Sequence, residues 1–192
     1  MSYDALAESL RLLEGGAPES EARLSRRVRF VPLAADRDGD VAATMFLRRG
    51  VSGVPELDVH SLELYDGRWR MLGGSGGPGA AALEPRPDCA SLQALAVSFG
   101  SGGTARGSSR SLGWASNLWV WWTELRAARE VAALGVGERR IPVAAHGMAI
   151  VVWTDRPPEI AALDASGVVL GAIPVRDRRS MPAVYRDGDE PR

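Results

Sequence analysis

The sequence predicts a mostly β protein, an antiparallel β-sandwich with one N-terminal amphipathic helix. Three observations lead there. From residue 28 onward short β-rich runs alternate with turn signals, residues 62–71 read as a hairpin of defined register, and only residues 3–14 carry a clean helical spacing.

The helix comes first. Tyr3, Leu6, Leu10 and Leu13 recur at helical intervals, with Ser2 available as N-cap and Gly15-Gly16 as the stop. Strand-like runs follow at 28–34, 41–48, 57–65, 68–72, 92–99, about 117–125, 130–136, 139–143, 147–154, 159–164 and 168–173. Asp66-Gly67 suits a two-residue turn with positive φ, which pairs Tyr65 with Arg68, Leu64 with Trp69, Glu63 with Arg70 and Leu62 with Met71. Leu62, Leu64, Trp69 and Met71 then share one face, and opposite charges meet on the other. Asp36-Arg37-Asp38-Gly39-Asp40 reads as a polar turn between the first two strands. As a calcium loop its glycine would come two positions early, and Leu47 stands where a bidentate glutamate is needed.

Trp114, Trp119, Trp121 and Trp122 fall within nine positions. Read as a strand, Trp119 and Trp121 face one way with Thr123, while Leu118, Val120 and Trp122 face the other. Such a strand is central and covered, and the N-terminal helix is one available cover. A helix also fits, with Leu118, Trp121, Trp122 and Leu125 at i, i+3, i+4 and i+7; the tryptophan and valine content favours the strand. Segments 73–87 and 100–113, rich in glycine, serine or proline, read as loops. The expected organisation is a helix over 1–17, a β-sandwich domain over 18–175 with those two glycine-rich loops, and a flexible tail over 176–192.

In the last third, Ile141-Pro142-Val143, residues 147–154, the Pro157-Pro158 break, residues 160–163, the turn Asp164-Ala165-Ser166-Gly167 and residues 168–173 leave no room for crossover helices, so the sheet is antiparallel. This succession resembles the strand-turn-strand order of immunoglobulin-like sandwiches in bacterial proteins. The resemblance covers about the last third and rests on pattern. It implies a binding or structural scaffold and carries over no functional residue.

Composition removes several chemistries. The 192 residues contain no lysine, and all 23 basic residues are arginine. A P-loop and a Schiff-base enzyme both need the amine that a guanidinium cannot replace. The net charge of −1 sets up no global field toward nucleic acid or an anionic membrane. The arginine clusters at Arg26, Arg27 and Arg29, at Arg48 and Arg49, and at Arg139 and Arg140 read as solvated surface, which makes nucleic-acid binding a third function class behind the two given below. Cys89 is alone, the N-terminus lacks a basic leader region, and no apolar run approaches the roughly 20 residues of a membrane span, so a cytoplasmic protein is expected.

Gly73-Gly74-Ser75-Gly76-Gly77 satisfies G-x-S-x-G, and Asp88 and His146 follow in hydrolase order. A nucleophile elbow nevertheless needs a helix after the serine, and Pro78, Pro85 and Pro87 interrupt one. Gly74, Gly76 and Gly79 match a dinucleotide fingerprint without the helix that would hold a pyrophosphate. Residues 102–108 mimic P-loop spacing with Ser108 in place of lysine. His60 reads as a hydrogen-bonded residue at the core edge and His146 as a turn residue. Neither has a second histidine or cysteine at ligand spacing, so no metal and no cofactor are expected.

The expected function is a non-catalytic protein-interaction or assembly module, self-associating or not, whose contacts come from the two glycine-rich segments or from Trp114, Trp119 and Trp121. The alternative is an α+β cone resembling NTF2-like ligand-binding or isomerase domains. Its cavity would be lined by Leu62, Leu64, Trp69 and Met71, with His60 as base and Asp58 orienting it.

Overall fold

The computed structural model describes residues 3–17, 21–107 and 119–175. In chain order the elements are α1 (Ala5–Gly15), β1 (Phe30–Asp38), β2 (Val41–Arg49), β3 (Pro55–Tyr65), β4 (Arg68–Pro78), a 3₁₀ turn (Ala80–Leu83), α2 (Cys89–Leu92), β5 (Ala96–Ala105), β6 (Trp119–Ala127), β7 (Ala133–Val136), β8 (Arg139–Pro142), β9 (Met148–Trp153), β10 (Ile160–Leu163) and β11 (Val169–Ile173). Trp114, the second half of segment 100–113 and the tail 176–192 lie outside the described residues.

The strands form three antiparallel sheets among the described residues: a meander β1-β2-β3-β4, a second sheet β5-β6-β9, and a third in the order β11-β10-β7-β8. The second sheet is the middle layer. One of its faces sends Val120, Trp122, Ile150 and Val152 against Leu33, Met45, Leu57 and Val59 of the first sheet. The other sends Leu125, Ala149 and Val151 against Leu134, Ile141, Ile160 and Ile173 of the third. Burial on both faces is why β9 and the first half of β6, residues 119–122, read as continuous apolar runs, while the second half of β6, which reaches the sheet margin with Glu124 and Arg126, alternates. The fold is therefore predominantly β and sandwich-like, but with three sheets stacked.

Helix α1 covers the first sheet, not the tryptophan strand, which the third sheet covers. Asp4, rather than Ser2, caps it, its carboxylate accepting from Ala7 N at 3.1 Å. Gly16, at φ 74°, ends it as expected, and its N–H reaches Leu12 O. The helix docks through Ser9, whose Oγ lies 2.8 Å from Thr44 Oγ1 and 3.1 Å from His60 Nδ1, and through Tyr3, whose ring meets Phe30 edge-on at 4.9 Å. β2 is thus buried on both sides, Val41, Ala43, Met45 and Leu47 facing the second sheet and the alternate residues facing α1.

The hairpin has the expected register, from Tyr65↔Arg68 to Leu62↔Met71. Asp66 and Gly67 both take positive φ, 53° and 72°, the geometry of a type I′ turn. The strand reading of the tryptophan run also holds over Trp119–Ala127.

Both glycine-rich segments depart from the loop expectation. Residues 73–78 extend β4, paired with β3 from Ser61↔Gly73 to Glu56↔Pro78, and residues 100–105 belong to β5. Neighbouring side chains lie across these backbones. A Cβ at Gly102 would stand 2.1 Å from the Trp122 ring, one at Gly103 2.4 Å from the Trp121 ring, and one at Gly79 2.6 Å from Leu47 Cδ1. Gly102 and Gly103 are seats for the tryptophan rings of the adjoining β6, and Gly79, just past β4, makes room for Leu47 of β2. Ser75 accordingly sits inside a strand opposite Val59, not on a strand-to-helix turn.

Candidate functional site

β4 and β5 are the free edges of their sheets, and they run side by side in antiparallel sense. At one end they nearly touch: Gly73 of β4 leaves room for the Thr104 side chain of β5, which also accepts from Ser61 Oγ of β3 at 3.2 Å. At the other end they splay apart around a cleft of about 640 Å³, closed at its end by Ala80, Ala81 and Glu84. Its walls are Ser75 to Pro78 on β4 and Val97, Phe99, Gly100 and Ser101 on β5, with Leu57, Val59, Glu124 and Arg126 behind them.

Three features shape this cleft. The pairing of β5 with β6 shifts between Ser98 and Gly100, so Phe99 is an extra residue in the ladder, and 41% of it is exposed at the rim. Bulges of this kind re-aim a side chain out of the strand's alternation. Glu124, opposite Gly100, lays its carboxyl over that glycine, where a Cβ would come within 2.6 Å of it. Burial pushes this carboxyl up from its ordinary value, and the Trp122 indole side chain acts in the opposite sense. Arg126 is tied down, donating to Glu84 Oε2 at 3.2 Å and Pro85 O at 3.0 Å, so it braces the wall instead of neutralising Glu124. Ser75 shares the cleft with Glu124, and the two are not hydrogen-bonded to each other. The result is an apolar slot between two strand edges with one partly buried carboxyl in its wall.

The residues expected to form a site are dispersed. Trp121 packs toward the core between the second and third sheets, its indole N–H without a hydrogen-bond partner among the described residues. Trp119 stacks on it at 5.3 Å and is 40% exposed. Both sit toward the start of β6, where Trp119 pairs with Ala105, at the far end of β5 from the cleft. His60 is buried under α1 between Ser9, Tyr3 and Phe46, and burial pulls it below its ordinary pKa. Asp58 turns away to Arg48, 2.7 Å from its Nε. Of the residues expected to line a cavity with His60, Leu62 is buried while Leu64, Trp69 and Met71 are half-buried, and the α1 contact of this face falls on His60 through Ser9. His146 is buried, its Nδ1 accepting from Met148 N at 3.0 Å. Among the described residues no group of three or more His, Cys, Asp or Glu is placed to hold a metal ion, and no helix is long and apolar enough to cross a membrane.

Sequence reasoning reached the two segments that line the cleft but treated them as loops, and it missed Phe99 and Glu124. The available signal was the run Val97-Ser98-Phe99-Gly100-Ser101, in which a glycine directly after an aromatic residue of a strand pattern marks a bulge.

No family model, curated protein or solved structure matches this chain.

Proposed function

We propose that this chain is a non-catalytic protein-interaction module that holds an extended segment of a partner protein between β4 and β5. The observation that carries the reading is the pair of unpaired strand edges facing each other across an apolar slot of about 640 Å³. A sheet edge offers a row of free backbone donors and acceptors, and an added strand satisfies them while its side chains fill alternate pockets. The glycines of β4 keep that edge clear of side chains, and the rim of Phe99 supplies an aromatic anchor of the kind that dominates interface energetics. The exposed face of the Trp119 stack is a second contact surface, for the same partner or for another copy of the chain. The immunoglobulin-like character of the C-terminal strands belongs to this reading, as a scaffold that presents binding edges, and so does a cytoplasmic setting, supported by the lone Cys89.

The test is affinity capture from the native host with wild type, Phe99→Ala and Trp119→Ala, followed by hydrogen exchange on the recovered complex. The expected result is a partner that is lost with Phe99→Ala and that protects amides of residues 73–78 and 97–101. If light scattering gives a monomer, no partner is recovered, and native mass spectrometry finds a small molecule held in the cleft, the reading is wrong.

A further inference from the structure

A second recess lies at the other edge of the first sheet, and it is built from arginine. The sequence places Arg27 and Arg29 ahead of β1 and Arg48 and Arg49 at the end of β2. The β1–β2 pairing brings them together, with Phe30 opposite Arg48 and Arg49 N donating to Arg29 O at 2.8 Å. The four side chains surround a recess of about 470 Å³, together with the Tyr3 and Phe30 rings and Val51.

The charges in this recess are unevenly compensated. Arg48 is held in place, its Nε 2.7 Å from Asp58 and its Nη2 3.1 Å from Glu56. Arg27, Arg29 and Arg49 have no carboxylate within ion-pair distance among the described residues, as is also true of Arg26, Arg37, Arg68, Arg70, Arg86, Arg140 and Arg156; what sets the three apart is that they line one recess. Three like charges lining one concavity repel one another, and a chain with net charge −1 has acidic residues enough to avoid the arrangement. The arrangement becomes favourable when an anion enters.

We propose that this recess is a binding site for a phosphate-bearing ligand, with Arg27, Arg29 and Arg49 as the groups that hold the phosphate oxygens. A guanidinium presents a planar fork of donors that matches a phosphate in bidentate fashion, and several forks around one tetrahedral group use all of its oxygens. The aromatic rings of Tyr3 and Phe30 lower the local polarity, which strengthens each charge-assisted bond. The volume suits a small ligand or a single headgroup. A lipid headgroup and a soluble phosphate offer the same chemistry, and the exposed Val51 at the recess is compatible with either.

The test uses the full chain and two probes. Inorganic pyrophosphate is titrated by calorimetry at low and high salt, and vesicles of phosphatidylcholine with phosphatidylserine are tested by co-sedimentation. Saturable binding of either probe that weakens as salt rises supports the site, the pyrophosphate arm identifying a soluble ligand and a vesicle-only response a headgroup. Arg29→Gln and Arg49→Gln, exposed or half-buried changes that leave the core intact, are each expected to weaken it about tenfold. Arg68→Gln, an exposed arginine at the hairpin tip, is expected to leave it unchanged. Absence of binding to both probes, or equal loss with Arg68→Gln, overturns the proposal.

Discussion

Asp36 Oδ2 stands 2.9 Å from the backbone nitrogen of Val152, so a side chain of β1 takes the hydrogen bond that a neighbouring strand would otherwise supply to the edge of β9. The same oxygen lies 2.7 Å from Arg139 Nη1 on β8, and Arg139 Nη2 donates to Val152 O at 3.2 Å. One carboxylate and one guanidinium thereby join all three sheets at a single point. Burial lifts the Asp36 carboxyl above its ordinary value, while the Val152 N–H and Arg139 pull it down. A pair in so dry a place is more a device for fixing how the layers meet than a source of net stability.

Removing one member of that pair leaves the other uncompensated. Asp36→Ala is expected to cost about 3 kcal/mol. Because Arg139 then has no acid to answer, the double variant with Arg139→Ala should lose less than the sum of the two single losses. Urea unfolding of the four proteins measures the coupling.

The two histidines predict a pH dependence. Burial and the charge of Arg86 bring His146 from 6.5 down to about 4, and burial lowers His60 as well. The unfolded chain therefore takes up protons first on acidification. The stability that the two neutral histidines confer is full above about pH 6.5 and falls as the pH drops toward 4, His146 contributing about 3 kcal/mol of it. In His146→Asn, whose side-chain oxygen can still accept from Met148 N, the difference in urea midpoint between pH 7 and pH 4.5 should shrink, leaving the share due to His60.

Glycine-to-alanine changes separate seats from spacers. Gly102→Ala drives a methyl into the Trp122 ring, which is itself buried, and should cost about 1–3 kcal/mol. At Gly77 a Cβ meets nothing within 4 Å, so Gly77→Ala should be neutral or slightly stabilising. Thermal melts of both variants check this.

The hairpin, the N-terminal helix and most strand positions were legible because each rests on neighbours in sequence: Asp66-Gly67 dictates its own turn, and Leu62 and Met71 follow by counting. The glycine strands were not, because what makes Gly102 a strand residue is the indole of Trp122 on the adjoining strand, a property of the pair. Asp36 looked like a turn residue for the same reason, its partners Arg139 and Val152 lying more than a hundred positions away. The cleft depends on how two sheet edges splay, and the arginine recess on a pairing across two runs that sequence inspection treated separately. Stacking of a third sheet, which no local pattern encodes, displaced α1 from the role expected of it.

The tryptophans divide by burial. Trp122→Ala empties a packed site between two sheets and should cost about 3–5 kcal/mol. Trp119→Ala removes a half-exposed ring whose main neighbour is Trp121, so chemical denaturation should register about 1 kcal/mol or less.

Arg86, in the connector between β4 and β5, donates to the carbonyls of Ala127, Ala128, Val131 and Ala144. The meander of the first sheet is assembled from contacts between consecutive strands, whereas this anchor waits for residues synthesised 41 to 58 positions later. A nascent chain therefore completes one wall of the slot early and leaves it bare until the opposite wall is made and pinned. During that interval the β4 edge is open to any strand nearby, so translation itself sets a window in which capture by the wrong neighbour competes with folding.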